Sequence, residues 1–126
     1  MTTWILLGCA IYLAGLFLPS SFLILQIGLN AYVGSRDAEP GPSLFRGRAL
    51  RAQRNLFESM VLFLGLGAMN LVVPEADVEL ATTGAQIFVV ARLAYLPLYL
   101  FAVPWIRSGA WAVGFLGLIL MAMALI

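Results

Sequence analysis

One stretch of the chain carries charged and amide side chains into a segment that is otherwise apolar. Within RGRALRAQRNLFESMVLF, Arg51, Asn55 and Glu58 are spaced at i, i+4 and i+7, which places them on one face of a helix. The apolar run MVLFLGLGAMNLVV follows Glu58 closely, so this carboxylate is expected inside a membrane boundary. An ionisable group at such depth usually faces a bundle interior or wet cavity and marks a functional site. Its nearest cationic partner in sequence is Arg54, at i−4.

A second polar set lies on the third apolar segment, where Arg92, Tyr95 and Tyr99 are spaced at i, i+3 and i+7. Guanidinium groups bind carboxylates, a glutamate binds an ammonium group, an amide hydrogen-bonds a peptide bond, and tyrosines close a pocket. The two sets together complement a small zwitterionic peptide, although the residues do not say which one. A structural salt bridge between helices is the competing interpretation.

The composition indicates an integral membrane protein. Of 126 residues, 63% are hydrophobic and 10% are charged, which is too apolar for a soluble domain of this length. The chain has no lysine and no histidine, so histidine-dependent metal sites, Ser-His-Asp triads and histidine proton shuttles are excluded. Neither a metal nor a nucleic-acid partner is expected. The single Cys9 is expected to be a small buried hydrophobe.

Four apolar segments are long enough to cross a lipid bilayer. We predict one domain, residues 1–126, that is an all-α membrane bundle with four transmembrane helices. The first segment lacks a basic n-region, so it is expected to be retained rather than cleaved as a signal peptide. Pro19 and Pro97 are expected to bend the helices that contain them. The predicted helices cover residues of about 2–33, 44–73, 80–103 and 108–126.

The arginines are concentrated at one end of these helices. The loop at 34–43, the turn around Arg107 and the adjoining helix ends carry the arginines other than Arg92, whereas the loop at 74–79 contains three acids and no base. The positive-inside rule therefore places the arginine-bearing loops in the cytoplasm and both termini outside it. Topology and headgroup contacts alone explain Arg36, Arg46 and Arg48. The absence of targeting signals favours a bacterial inner membrane.

Two segments resemble signatures of the MAPEG family, the membrane-associated proteins of eicosanoid and glutathione metabolism. RALRAQRNLFE is similar to the second-helix signature of the family, and ARLAYLPLY is similar to its third-helix A-R-L-x-Y-x-x-x-Y segment. The family includes leukotriene C synthase, microsomal glutathione transferases and prostaglandin E synthase. Helix count, helix order, length and the acidic loop also agree, so the resemblance to a short bacterial-type member spans nearly the whole chain.

The resemblance implies a homotrimer of four-helix subunits, with glutathione bound as co-substrate between neighbours near the cytoplasmic face. It implies that Arg51 holds a glutathione carboxylate and that Glu58 takes the γ-glutamyl ammonium. Arg107 matches the family arginine that stabilises the glutathione thiolate. The residues that the resemblance assigns to glutathione binding lie on the second and third helices: Arg51, Gln53, Asn55, Glu58, Arg92, Tyr95 and Tyr99.

The implied activity is that of a glutathione transferase or peroxidase acting on a lipophilic electrophile from the bilayer. A thiol with a pKa of about 8.5 is mostly protonated at pH 7, and a nearby guanidinium favours the nucleophilic anion. Three alternatives stay open: a different thiol, a non-catalytic trimeric protein with the family fold, and a small proton-coupled exporter using Glu58. Such exporters keep their essential carboxylate in the first helix, which has no acid here.

The chain departs from the family pattern at three places. Ser59 stands where many glutathione-binding members have a tyrosine, and Val61 and Leu62 stand where a proline is usual. Asn30 and Ala31 stand where eicosanoid enzymes have a basic residue near the end of the first helix. These departures bear on catalysis rather than on the fold.

Overall fold

The computed structural model describes residues 1–126 and contains helices but no strands. Four of the helices are long and apolar enough to cross a membrane, and one is short. This architecture confirms the predicted four-helix membrane bundle. The helices are α1 (Thr2–Ile27), α2 (Leu29–Val33), α3 (Leu44–Val72), α4 (Val78–Leu100) and α5 (Pro104–Met123).

The first helix ends before the predicted boundary. Gly28 has a φ of 82° and separates α1 from α2, so the prediction of one continuous helix over residues 2–33 is wrong. Glycine adopts this left-handed φ without the steric penalty that a Cβ would bring. A glycine inside an apolar run is also tolerated in a helix, so the sequence pattern alone does not reveal the break.

Two other helices begin earlier than predicted, each for a local reason. The Asp77 carboxylate accepts hydrogen bonds from the backbone N–H groups of Glu79 and Leu80, so it caps α4 at Val78. Pro104 begins α5 because the first position of a helix needs no N–H donor. At the other end, α4 stops at Leu100 rather than at residue 103.

The core lies where α3 packs against α1, α4 and α5. The rings of Phe63 and Phe88 stack at its centre, with their centroids 4.4 Å apart. Many of the remaining large apolar side chains face outward; Leu25 is 81% exposed and Trp105 is 88% exposed. Such an apolar exterior suits lipid rather than water. The buried core residues are Ile11, Leu56, Met60, Phe63, Ala85, Phe88, Val89, Leu118 and Met121.

Helices α4 and α5 approach each other through two glycines. A Cβ placed on Gly117 would lie 2.6 Å from the carbonyl oxygen of Gly84 and 2.8 Å from the backbone nitrogen of Phe88. A Cβ on Gly84 would likewise lie 2.6 Å from the carbonyl oxygen of Gly117. Small residues allow membrane helices to come this close and to gain van der Waals contact. This packing holds the second half of α5 against the first half of α4.

An amide on α3 holds the other end of α5. Asn70 is 1% exposed, and its Nδ2 donates to the carbonyl oxygens of Leu66 and Met121 at 2.9 and 2.8 Å. The Met121 carbonyl lies in the last turn of α5, where backbone carbonyl oxygens have no N–H partner within the helix. In lipid such an acceptor needs a protein donor. Asn70 provides it and ties α3 to α5.

We predict that Gly117→Ala lowers the thermal unfolding midpoint of the detergent-purified protein. The added methyl group has no room against backbone atoms of α4, and overpacking of this kind costs about 1–3 kcal/mol. Gly109→Ala is the matched control on the same helix, because a Cβ there meets nothing within 4 Å. Gly109→Ala should leave the midpoint unchanged or raise it. Equal midpoints for the two variants would contradict the close α4–α5 packing.

Candidate functional site

The face of α3 predicted to carry polar chemistry borders a cavity. Asn55 and Glu58 line a cavity of about 170 Å³ together with Arg92 of α4 and Trp111 of α5. Because positions i and i+3 share a helix face, both α3 side chains reach the same opening. The structure therefore brings two predicted binding residues of α3 next to one of α4.

Within that cavity a buried arginine is held by an amide. Arg92 is 2% exposed, and its Nη1 donates to Oδ1 of Asn55 at 2.8 Å. The guanidinium carbon also lies 5.3 Å from the ring centroids of Phe88 and of Tyr95. A cation over aromatic faces gains electrostatic stabilisation in the absence of water. Its Nε has no hydrogen-bond partner in the chain. A neutral amide and two rings thus hold this cation.

The other charges of the central stretch have no ion partner within the chain. The one ion pair joins Arg46, at the start of α3, to Glu39 in the preceding loop. No salt bridge joins two membrane helices within the chain, so the competing interpretation is not supported. Glu58, Arg51 and Arg54 are exposed on α3, and Glu58 lies within 4.0 Å of no cationic nitrogen. These groups are available to a ligand or to a second chain.

A second cavity, of about 240 Å³, lies between the end of α4 and the start of α5. It is lined by Tyr95, Tyr99, Arg107, Ser108 and Trp111. The two tyrosine rings are tilted, with their centroids 5.5 Å apart, and the guanidinium of Arg107 lies 4.6 Å from the ring centroid of Tyr99. The structure therefore brings Arg107 and both predicted tyrosines together. Trp111 lines this cavity and the previous one, so the two are neighbours.

Gln53 lies apart from the other predicted residues. It lines a separate cavity, also about 240 Å³, beside α1, with Phe17 and Leu50 among its neighbours. Residues two apart on a helix point in nearly opposite directions, so Gln53 cannot share the face of Arg51 and Asn55. Within one chain the structure does not bring Gln53 to the tyrosines or to Glu58.

Arg51 lines none of the cavities described above. It is exposed, and a Cβ on Gly47 would lie 3.6 Å from its Nη1, so the side chain runs back along α3 toward the start of the helix. Ser59, by contrast, is buried and donates to the backbone oxygens of Asn55 and Leu56 at 3.2 and 3.0 Å. It stabilises the local helix and presents no ring to the cavity.

Two residues of the site region were missed by sequence reasoning. Trp111 lies at i+4 from Arg107, so the helical period alone could have placed it on the same face. Arg48 donates from its Nη1 to the carbonyl oxygen of Leu100 at 2.8 Å. Those residues are 52 positions apart, and no local pattern pairs them.

Comparison with known proteins identifies a family. The sequence model of the MAPEG family matches residues 6–126, which is essentially the whole chain. Comparisons with curated proteins and with solved structures give no match.

We predict that Asn55→Leu destabilises the folded chain because it leaves the buried Arg92 guanidinium without its hydrogen-bond acceptor. Loss of a hydrogen bond to a charged group costs about 1.5–3 kcal/mol. The measurement is the unfolding midpoint in mixed detergent. The double variant Asn55→Leu/Arg92→Met removes the stranded charge as well and should recover most of the stability. A double variant no more stable than Asn55→Leu alone would contradict this account.

Proposed function

The chain belongs to the MAPEG family, and from this premise we propose that it is a glutathione-dependent transferase or peroxidase acting on lipophilic electrophiles in the membrane. The observation that carries the proposal is the position of Arg107 over Tyr99, in a cavity next to the one that Asn55 and Glu58 line. A guanidinium at this position, beside groups that can hold a peptide, supports Arg107 as the cation that activates the thiol.

The charges of α3 fit the charges of glutathione. The tripeptide carries two carboxylates and one ammonium group, and Arg51 and Glu58 are a cation and an anion without ion partners in the chain. Charge-assisted hydrogen bonds to such a ligand are about twice as strong as neutral ones. We therefore assign Glu58 to the γ-glutamyl ammonium and Arg51 to a carboxylate. Tyr95 and Tyr99 close the pocket around the cysteinyl part.

Asn55 and Arg92 take a combined role in this proposal. The Asn55 Oδ1 atom accepts from Arg92, so the amide is held in a fixed orientation with its Nδ2 group available as a donor. Arg92, at 2% exposure, lines the cavity wall and keeps that amide in place. In this geometry, the Nδ2 group of Asn55 suits a peptide carbonyl of glutathione as its acceptor.

The assembly we propose is a homotrimer whose binding sites lie between subunits. Gln53 and Glu58 face different cavities of one chain, so one small ligand contacts both only if a neighbouring copy supplies one of them. A repeated interface between unlike faces closes into a ring when the rotation between copies permits it. Three copies would then form three equivalent sites.

The chemical step is attack by the glutathione thiolate. With Arg107 close to the sulfur, the anion is stabilised relative to the thiol, whose proton is released to water. In a transfer reaction the sulfur lone pair forms the new S–C bond, and the displaced electron pair leaves with the leaving group or moves onto the electrophile. In a peroxidase reaction the thiolate attacks a peroxide oxygen, and the O–O bond breaks to give glutathione sulfenic acid and an alkoxide that takes a proton from water. The thiol of a second glutathione then forms the disulfide and displaces water from the sulfenic acid.

We also propose that the arginine-bearing end of the bundle faces the cytoplasm of a bacterial cell, with the termini on the outer side of the inner membrane. The loop at 34–43 and the turn before α5 carry basic residues, whereas the loop between α3 and α4 carries only acids. Labelling of a cysteine introduced near the N-terminus with a membrane-impermeant maleimide tests this orientation.

We predict that titration of the purified protein with glutathione produces a saturable ultraviolet absorbance from bound thiolate. Arg107→Ala should lose most of that absorbance while it still binds glutathione, because the cation acts on the sulfur and not on the peptide. Glu58→Gln and Arg51→Ala should weaken binding by about tenfold or more, which is the loss expected for a charge-assisted hydrogen bond.

Asp37→Asn serves as the control, since it removes an exposed charge at the same end of the bundle and lines neither the Gln53 cavity nor the Glu58 cavity. It should leave both binding and absorbance unchanged. Absence of saturable binding of glutathione, or of any other thiol, would contradict the proposal and leave a non-catalytic protein with the family fold. Full conjugation rates in Arg107→Ala would remove the assignment of that residue.

A further inference from the structure

The last carbonyl of α4 lacks a donor in its own helix. In a continuing helix the carbonyl oxygen of Leu100 would accept from the N–H of the residue four positions later, but that residue is Pro104, which has no N–H. The backbone N–H of Val103, one residue earlier, donates to the carbonyl oxygen of Leu98 at 3.0 Å instead. The Leu100 carbonyl must therefore be satisfied from elsewhere.

Arg48 of α3 supplies the missing donor. Its Nη1 lies 2.8 Å from the Leu100 oxygen in a partly buried contact, and its guanidinium lies 5.7 Å from the ring centroid of Phe45. A positive charge at the C-terminal end of a helix is favoured by the helix dipole. This contact shows that Arg48 does more than fix topology, which was the role expected from sequence.

The turn beside this contact connects the two halves of the thiolate site. Phe101–Val103 links α4, which carries Tyr99, to α5, which carries Arg107. Ala102 in that turn has a φ of 53°, a left-handed conformation that a non-glycine residue keeps only when its surroundings hold it. The position of Arg107 over Tyr99 thus depends on how firmly the end of α4 is held.

We propose that Arg48 is a positioning residue for the thiolate site: by holding Leu100 it fixes the turn that sets Arg107 over Tyr99. The inference rests on the proposed function for its chemical meaning. It also makes a claim about the turn itself, which can be tested without glutathione.

The first readout is the thiolate absorbance per bound glutathione. Arg48→Gln, whose shorter neutral side chain cannot hold the carbonyl in the same way, should reduce this ratio about tenfold while the Kd for glutathione changes less than about threefold. Arg48→Lys should restore much of the ratio because an ammonium group can still donate to Leu100. Arg36→Gln is the control for charge loss at this end of the bundle. An unchanged ratio in Arg48→Gln, or an equal fall in Arg36→Gln, would overturn the proposal.

The second readout is hydrogen exchange of the backbone amides between residues 101 and 107 in protein without glutathione. Arg48→Gln should raise their exchange rates about tenfold relative to wild type and to Arg36→Gln, with Arg48→Lys in between. Exchange rates equal to wild type in Arg48→Gln would overturn the proposal. If the wild type binds no glutathione, the proposed function fails, and the exchange rates alone decide whether Arg48 holds the turn.

Discussion

Polar groups inside an apolar bundle need partners, and α3 supplies them to its neighbours. Asn55 accepts from the buried Arg92 of α4, while Asn70 and Arg48 donate to backbone carbonyls in the last turns of α5 and α4. In lipid each of these groups would cost several kcal/mol if it were left without a partner. The relative positions of α3, α4 and α5 are therefore set by hydrogen bonds as well as by apolar packing.

This constraint separates the polar groups of the chain into two kinds. Asn55 and Arg92 are engaged with each other inside the bundle, so they stabilise the cavity wall. Glu58 and Arg51 lie on the surface of α3 without ion partners, although α3 is long and apolar enough to span a membrane. Charges in that position are retained where a ligand or a neighbouring subunit satisfies them. This division supports our proposal that the surface charges bind the ligand and that the buried pair orients it.

The helical period was sufficient to predict much of this arrangement. Four spans follow from the apolar runs, and the spacing of Asn55 with Glu58, and of Tyr95 with Tyr99, places each pair at one cavity. The same period separates Gln53 from Asn55, because residues two apart point in nearly opposite directions. The family resemblance assigns both Gln53 and Asn55 to glutathione binding, although their side chains point in nearly opposite directions from one helix. Within one chain, Gln53 lines a different cavity from Asn55 and Glu58, which is why we propose that a neighbouring copy completes the site.

Other features depend on tertiary packing and could not be predicted from local sequence. The break at Gly28 has a left-handed backbone conformation, which glycine permits but does not require. The hydrogen bond from Arg48 to the Leu100 carbonyl depends on where the start of α3 meets the end of α4. Pro104 leaves that carbonyl without a backbone donor, but the sequence does not indicate which residue replaces it. The burial of Arg92 depends on the acceptor that α3 presents. The contacts of Arg48 and Arg92 are long-range consequences of satisfying polar groups.

The central claim is that the glutathione site is completed between two copies of the chain, and a mixed assembly tests it most directly. Differently tagged Gln53→Leu and Glu58→Gln chains are co-expressed, purified through both tags and titrated with glutathione. Each variant alone should bind weakly, whereas every mixed trimer contains one interface at which both halves are intact. The account predicts that the mixed assembly recovers wild-type affinity at that interface. Binding no stronger than that of either variant alone would contradict it and place the site within a single chain.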